Sequence, residues 1–289
     1  MIPSAFEYVT PTSLTEAVTF LGAHPDDAKL VAGGHSLIPL MKLRLAAPRY
    51  LVDLAHIPNL KYIREANGVL EIGALTTHYE IESSPLVRER LLALAETAAL
   101  IGDVQVRNRG TIGGSMAHAD PAADYPALIL ALNSEIVATG PKGQRTIKAS
   151  DLFVDLMTTS LESNEVVTQV RIPIPAAGTG VAYAKFPHPA SRYAIVGVAA
   201  AVRLNPNGTC TEVAIGVTGA GPKPSRASAA EKSLVGSNLD ETALRKAGRA
   251  ASDETETSGD IHASDEYRKH LVEEFTVRAL REAIARAQT

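Results

Sequence analysis

The chain has a single cysteine, Cys210, among 289 residues. Disulfide frameworks, zinc–thiolate centres and iron–sulfur clusters all need several thiolates, so none can be built from this sequence alone. Cysteine this sparse fits a reducing compartment, and the expected home is the cytoplasm. Positive charge is not in excess either. Lys and Arg number 28 against 32 Asp and Glu, a formal net charge of −4, which leaves no electrostatic footprint for nucleic acid. No apolar run reaches the ~20 residues needed to cross a bilayer. The longest is AIVGVAAAV at 194–202. The N-terminus, MIPSAFEYVTP, lacks the basic and apolar regions of a secretory signal. The eight histidines fall at no metal-ligand spacing. His118-x-Asp120 comes nearest, and a zinc site needs three or four convergent ligands. Neither G-x-G-x-x-G nor G-x-x-x-x-G-K-[ST] occurs, which disfavours an ordinary dinucleotide-binding domain and a P-loop nucleotide triphosphatase.

What remains is a mixed-charge globular chain, long for one domain. Residues 13–16 read S-L-T-E, a capping box, and Leu14, Ala17, Val18 and Leu21 follow at helical spacing. KLVAGGHS (29–36) predicts a strand, a glycine turn and a cap. A helix from about Ile38 tolerates Pro39 in its first turn. With the strand YLVDL (50–54) this makes a βαβ unit. LEIGALTT (70–77) predicts a strand, and PLVRERLLALAETAALIG (85–102) one amphipathic helix. A short helix at YPALILAL and strands near SEIVATG and EVVTQVRIP follow. RIPIPAAGTG (171–180) is the candidate linker, with a boundary near residue 176. Beyond it VAYAKF, YAIVGVAAAVRL and CTEVAIGVTGAG predict an antiparallel meander, closed by helices after Asn238 and Ser264.

Two segments concentrate turn chemistry: AGGHS (32–36) and, within QVRNRGTIGGSMAHADPAADYPA (105–127), TIGGS (111–115). A glycine pair between strand and helix admits positive φ and lets backbone N–H groups approach a ligand. A helix starting just after favours an anion. Either loop alone is equally served by a structural turn. Two loops of matching design fit one extended ligand with two phosphates. Ser36, Thr111 and Ser115 add hydroxyl donors, and His35 either bonds a phosphate or steadies its loop. Asp124 follows the second loop. A carboxylate beside a phosphate is repelled, so Asp124 faces a ribose hydroxyl or caps the helix at Tyr125–Pro126; both remain open. Arg107 and Arg109 flank this loop and are given no catalytic role.

AGGHSLIPLMKLRLAAP, IGDVQVRNRGTIGGSMAHADPAADYPAL, FPHPASRYAIVGVAA and SDEYRKHL together resemble the FAD-binding medium subunit of molybdenum hydroxylases, and within that family the carbon monoxide dehydrogenase type. The similarity runs through almost the whole chain in the family's order. It implies an α+β fold: a vanillyl-alcohol-oxidase (PCMH)-type FAD domain over 1–176, in subdomains of about 1–55 and 56–176. A C-terminal domain of the medium-subunit type, a three-stranded antiparallel sheet plus helices, follows over 177–289. It implies FAD as cofactor, and with no histidine or cysteine in an evident covalent-attachment motif the expected binding is non-covalent. Ala32, Gly33, Gly34, His35 and Ser36 match the first pyrophosphate loop, and Thr111, Gly113, Gly114 and Ser115 the second. Asp124 matches the acid on the adenosine side. Ile101 and Gly102 resemble the stretch beside the flavin, Leu161 and Lys185 match contacts to the ring and its carbonyl edge, and Tyr193 matches the aromatic placed against it. Ser115 replaces the family's commoner asparagine, and Tyr125 a usual leucine.

The same resemblance implies partners, since this chain has no iron–sulfur or molybdenum ligands. They are a small subunit with two iron–sulfur clusters and a large molybdopterin subunit, in a dimer of heterotrimers. Electrons would leave through FAD to an external acceptor such as a quinone or NAD, in the cytoplasm or at the inner face of the membrane. Other xanthine-dehydrogenase-family enzymes, oxidising aldehydes, purines or N-heterocycles, are the alternative. Two further classes compete. GGSMA (113–117) with Asp124 and His188 follows the chain order of a serine hydrolase, though Ala117 stands where that elbow needs glycine. A non-catalytic nucleotide-binding regulator would keep both loops without a flavin.

Overall fold

The computed structural model describes residues 2–289. Strands β1 (Glu7–Val9), β2 (Ala28–Val31) and β3 (Tyr50–Asp53) form a parallel sheet in the order β1-β3-β2. Helix α1 (Leu14–Ala23) precedes β2 and buries Ala17, Val18 and Leu21. Ser13 caps it by accepting from the Glu16 N–H (3.2 Å). The Glu16 carboxylate reaches the N–H of Thr12 (2.8 Å), one residue short of a reciprocal box. Helix α2 (Leu37–Lys42) joins β2 to β3, so the expected βαβ unit is present.

The second sheet is antiparallel and built from β4 (Ile63–Ala66), β5 (Val69–Gly73), β6 (Glu135–Gly140), β7 (Gly143–Lys148) and β10 (Val166–Pro173), in the order β4-β5-β10-β6-β7. The long connection from β5 to β6 carries α3 (His78–Ser83), α4 (Pro85–Arg90), α5 (Leu92–Ala99), α6 (Val104–Arg107), α7 (Ile112–His118) and α8 (Tyr125–Ala131). The helix expected over 85–102 is therefore two. The chain extends at Leu91 (φ −155°, ψ 71°), which turns Val87, Leu91 and Leu94 all into the core. Helix α9 (Ala149–Leu152) and the hairpin β8 (Phe153–Asp155) and β9 (Thr158–Thr159) lead into β10.

The C-terminal sheet runs β11 (Thr179–Pro187), β12 (Ala194–Leu204), β13 (Cys210–Thr218) and β14 (Ser225–Arg226), all antiparallel. The two-residue β14 adds a fourth strand to the three-stranded sheet expected. Helices α10 (Ser228–Leu234), α11 (Glu241–Glu254) and α12 (Asp265–Ala287) follow, and their apolar faces form a core with one side of this sheet. The other side joins the central core: Val181 and Ala199 lie in one cluster with α5, α7, α8 and the five-stranded sheet. Arg286 of α12 ties the two together, donating to Glu96 (2.8 Å) and to the Val181 carbonyl (3.0 Å). No helix among the described residues is long and apolar enough to cross a membrane.

Candidate functional site

The two glycine loops, remote in sequence, lie against each other. Gly34 has φ +77° and turns the chain from β2 into α2. A Cβ placed on Gly33 would lie 2.1 Å from the Arg109 carbonyl oxygen and 2.8 Å from the Gly110 Cα. Gly33 is glycine because the backbone of the second loop passes where its side chain would be.

The second loop rests on the segment after β5. The Gly113 N–H donates to the Ala74 carbonyl (2.9 Å), the Ile112 N–H to Thr76 (3.1 Å) and the His78 N–H to Gly110 (2.9 Å). Thr111 caps α7, its hydroxyl oxygen accepting from the Gly114 N–H at 3.1 Å. That cap contributes about 1 kcal/mol. Burial of Ile112 and Met116 on the same helix contributes about 2 kcal/mol each, so the core rather than the cap fixes the loop's height. Beneath lies His78, buried, its Nδ1 without a partner. Burial first, then the charges of His35 and Arg107, lower its pKa to about 4. The imidazole is neutral at pH 7.

A cleft of about 390 Å³ opens where the loops meet. Ala32 and Gly33 form one wall, Asn108, Arg109 and Thr111 another, and Ala55, Ile57–Lys61, Leu75 and Thr77 the rest. Arg109 is exposed, and Lys61 is paired with Glu80 at 2.8 Å, so the lining carries one cation and one ion pair. His35 is exposed on the first loop, and Gly114 and Ser115 are half-buried on the first turn of α7.

A second group gathers at the end of α5. Lys185 of β11 has a side chain only 2% exposed. Its ammonium donates to the Leu100 carbonyl (3.0 Å) and to Asp124 (2.9 Å). The Tyr183 hydroxyl donates to the other Asp124 oxygen at 2.7 Å. Burial pushes the Asp124 carboxyl up and the Lys185 ammonium down, and each group's charge opposes the shift of the other. Arg107 donates to the Ile101 carbonyl (3.1 Å) and to Glu82 (2.7 Å). The turn Leu100–Gly102, with Gly102 at φ +47°, is thus gripped by two cations through consecutive carbonyls. Tyr193, at the start of β12, is only partly exposed (43%). Burial and then the Asp120 carboxylate raise its phenol, and the Ser36 hydroxyl opposes them, which places the ring beside the first loop. Leu161 packs half-buried against the central core.

Asp124 stands at the N-cap position of α8 but its side chain makes no cap bond. Of the two roles left open, capping is therefore set aside. The hydrolase fails on geometry: Asp124 is committed to Lys185 and Tyr183, and His188 to Ala190, Ser191 and His262. Neither reaches Ser115. Sequence reasoning missed Tyr183, Arg107 as the brace of Ile101, Lys61 and His78. Arg107 alone lies within one of the family-like strings, and Tyr183, Lys61 and His78 fall outside them.

Residues 4–175 match the family model for the FAD binding domain in molybdopterin dehydrogenase. The chain belongs to this family. Residues 181–283 match the CO dehydrogenase flavoprotein C-terminal domain. The carbon monoxide dehydrogenase medium chain of Hydrogenophaga pseudoflava is 42% identical over 99% of both chains. The 6-hydroxypseudooxynicotine dehydrogenase complex subunit alpha of Paenarthrobacter nicotinovorans is 37% identical over 100% of this chain and 97% of its own. The solved carbon monoxide dehydrogenase of H. pseudoflava that lacks the Mo-pyranopterin moiety superposes with a TM-score of 0.96, at 44% identity over 99% of each chain. As a molybdopterin-dehydrogenase FAD chain of the medium-subunit type, the protein is an oxidoreductase subunit and its cofactor is FAD. The residues present fit such a group. The cleft carries hydroxyl, N–H and cationic donors, and no acid lines it.

Proposed function

We propose that the chain holds FAD across the two loops and passes electrons between a partner's iron–sulfur clusters and an external acceptor. The observation that carries this is the contact of Gly33 with Arg109–Gly110, which merges two half-sites into one cradle for a pyrophosphate. Ala32, Gly33, Gly34, His35 and Ser36 would hold one phosphate, and Thr111, Gly114 and Ser115 the other, on the turn that Gly113 closes against Ala74, with Arg109 countering their charge. Ile101, Gly102 and Leu161 would border the ring, with Lys185 braced behind them on Asp124 and Leu100, and Tyr193 in front. Asp124 then serves the site through Lys185. FAD, when bound, supplies the redox chemistry, taking up and releasing electrons singly or in pairs. The chain's own work is to orient it and exclude water from its inner face.

We place the domain boundary near residue 176. The partners are a large molybdopterin subunit and a small two-cluster iron–sulfur subunit, in a cytoplasmic dimer of heterotrimers, at the inner membrane face where a quinone is the acceptor. Carbon monoxide oxidation is favoured by the full-length similarity to the H. pseudoflava chain. Oxidation of an N-heterocycle or aldehyde is the second reading, favoured by the equally complete similarity to the 6-hydroxypseudooxynicotine dehydrogenase subunit. The test is the visible spectrum and released-flavin content of the purified complex. A two-band flavin spectrum with FAD released on heating is expected, and a colourless preparation that takes up no FAD would overturn the electron-transfer role. The co-purifying large subunit then decides the substrate.

A further inference from the structure

We infer that His188 is a positioning residue for the flavin-facing loop that ends in Tyr193. The inference rests on the FAD reading above. The loop His188–Tyr193 is a closed ring of hydrogen bonds: the His188 N–H donates to the Tyr193 carbonyl (2.8 Å), and the Arg192 N–H to the His188 carbonyl (2.9 Å). Arg192 sits in the left-handed region at φ +62° without being glycine, so the turn is held by its bonds and not by its sequence preference. The imidazole fills the ring's centre. Its Nδ1 receives the N–H groups of Ala190 (3.2 Å) and Ser191 (3.0 Å) and lies 3.1 Å from the Ser191 hydroxyl.

Backbone amides only donate, so Nδ1 is the bare acceptor nitrogen and the proton is on Nε2. Nε2 faces Nδ1 of His262 at 3.2 Å, with the two rings edge to face at 4.3 Å. His262 is itself fixed, since its N–H donates to Asp260 (2.8 Å) and Asp260 accepts from buried Arg268 (2.6 Å). Arg268 also donates to the Ile195 carbonyl at 2.6 Å, two residues beyond Tyr193. On the other side the Ser191 hydroxyl accepts from the Tyr193 N–H (3.4 Å). His188 thus connects a rigid C-terminal anchor to the backbone of the aromatic residue. No contact to substrate or cofactor is assigned to it.

The test uses the intact complex with three variants: His188→Leu, His188→Asn, whose side-chain oxygen restores the acceptor in the Nδ1 position, and Tyr193→Leu. Hydrogen exchange over 186–195 reads the loop and needs no flavin. His188→Leu should speed it several-fold and His188→Asn should return it towards wild type. Flavin fluorescence per bound FAD reads the ring. Tyr193→Leu and His188→Leu should both relieve quenching several-fold, and His188→Asn should not. Unchanged exchange in His188→Leu overturns the proposal. So does fluorescence that rises in Tyr193→Leu alone, in both His188 variants equally, or in none. A wild-type complex without FAD refutes the flavin reading instead, and the exchange arm still decides the loop.

Discussion

AGGHS and TIGGS set the same glycine pair before a helix, yet the fold secures them by opposite means. The second loop is bonded from below along its length, from His78 to Gly110, Ile112 to Thr76 and Gly113 to Ala74, and Thr111 caps its helix. The first has its backbone bonds running into its own helix, as from the Ile38 N–H to the Gly34 carbonyl (3.0 Å). Ser36, at the N-cap position of α2, makes no cap bond. What seats the first loop is contact with the second at Gly33. One loop is a floor, and the other is laid on it. The Ser36 hydroxyl thus serves no cap and meets only the Tyr193 phenol, whereas the Thr111 oxygen already serves the fold.

The largest expected effect separates the two. Gly33→Val drives two methyl groups into the Arg109 carbonyl, an overpacking cost of about 3 kcal/mol or more. Flavin content should fall to near zero while far-UV circular dichroism is kept. A variant that retains its flavin would break the picture of a seated loop. Next comes the far end of the second segment. Lys185→Met leaves Asp124 buried without its cation, at a cost of about 3–5 kcal/mol. Adding Asp124→Asn should recover part of that in thermal unfolding, and a double variant worse than the single would deny the pair its role.

The floor also has a pH signature. His78 titrates at about 4 in the folded chain against 6.5 when solvated. As pH falls from about 6.5 to about 4 the unfolded chain takes up a proton that the folded one refuses. Stability is then lost progressively through that window, by about 3 kcal/mol in total. His78→Leu should flatten this part of the stability–pH curve, and an unaltered slope would rule His78 out as its source. The smallest effects sharpen the contrast most. Thr111→Ala should cost about 1 kcal/mol of stability in the flavin-free protein. Ser36→Ala should change that stability by under about 0.5 kcal/mol and instead weaken FAD binding by about 1 kcal/mol. Equal stability losses from both would erase the distinction.

The local devices were legible from sequence because each is spelled within a few residues. Ser13 and Ser264 cap their helices, and the strand, glycine turn and helix around AGGHS form the expected βαβ unit. Elements that do not alternate in burial left no periodic signal. Five of the six residues of β7 are exposed, and it was missed along with β4. The break at Leu91 carries neither glycine nor proline, and only the core's demand for three leucine-type contacts imposes it. The two glycine loops were legible, and family resemblance marked them as the proposed flavin cradle. Its bracing was not, because Asp124 meets Tyr183 and Lys185 across 59 and 61 residues, and nothing in either segment names the other.

The Asp124–Lys185 pair also sets an order of biosynthesis. A ribosome releases the second glycine loop with its carboxylate well before Tyr183 and Lys185 emerge, and before Thr218, whose hydroxyl bonds the Pro121 and Ala123 carbonyls at 2.7 and 2.8 Å. Until the strands β11–β13 are made, the turn after the loop has neither its buried cation nor its backing sheet. Nascent chains stalled before residue 183 should stay protease-sensitive around 119–124. At the proposed site, the turn beside the flavin is complete only once the C-terminal sheet is made.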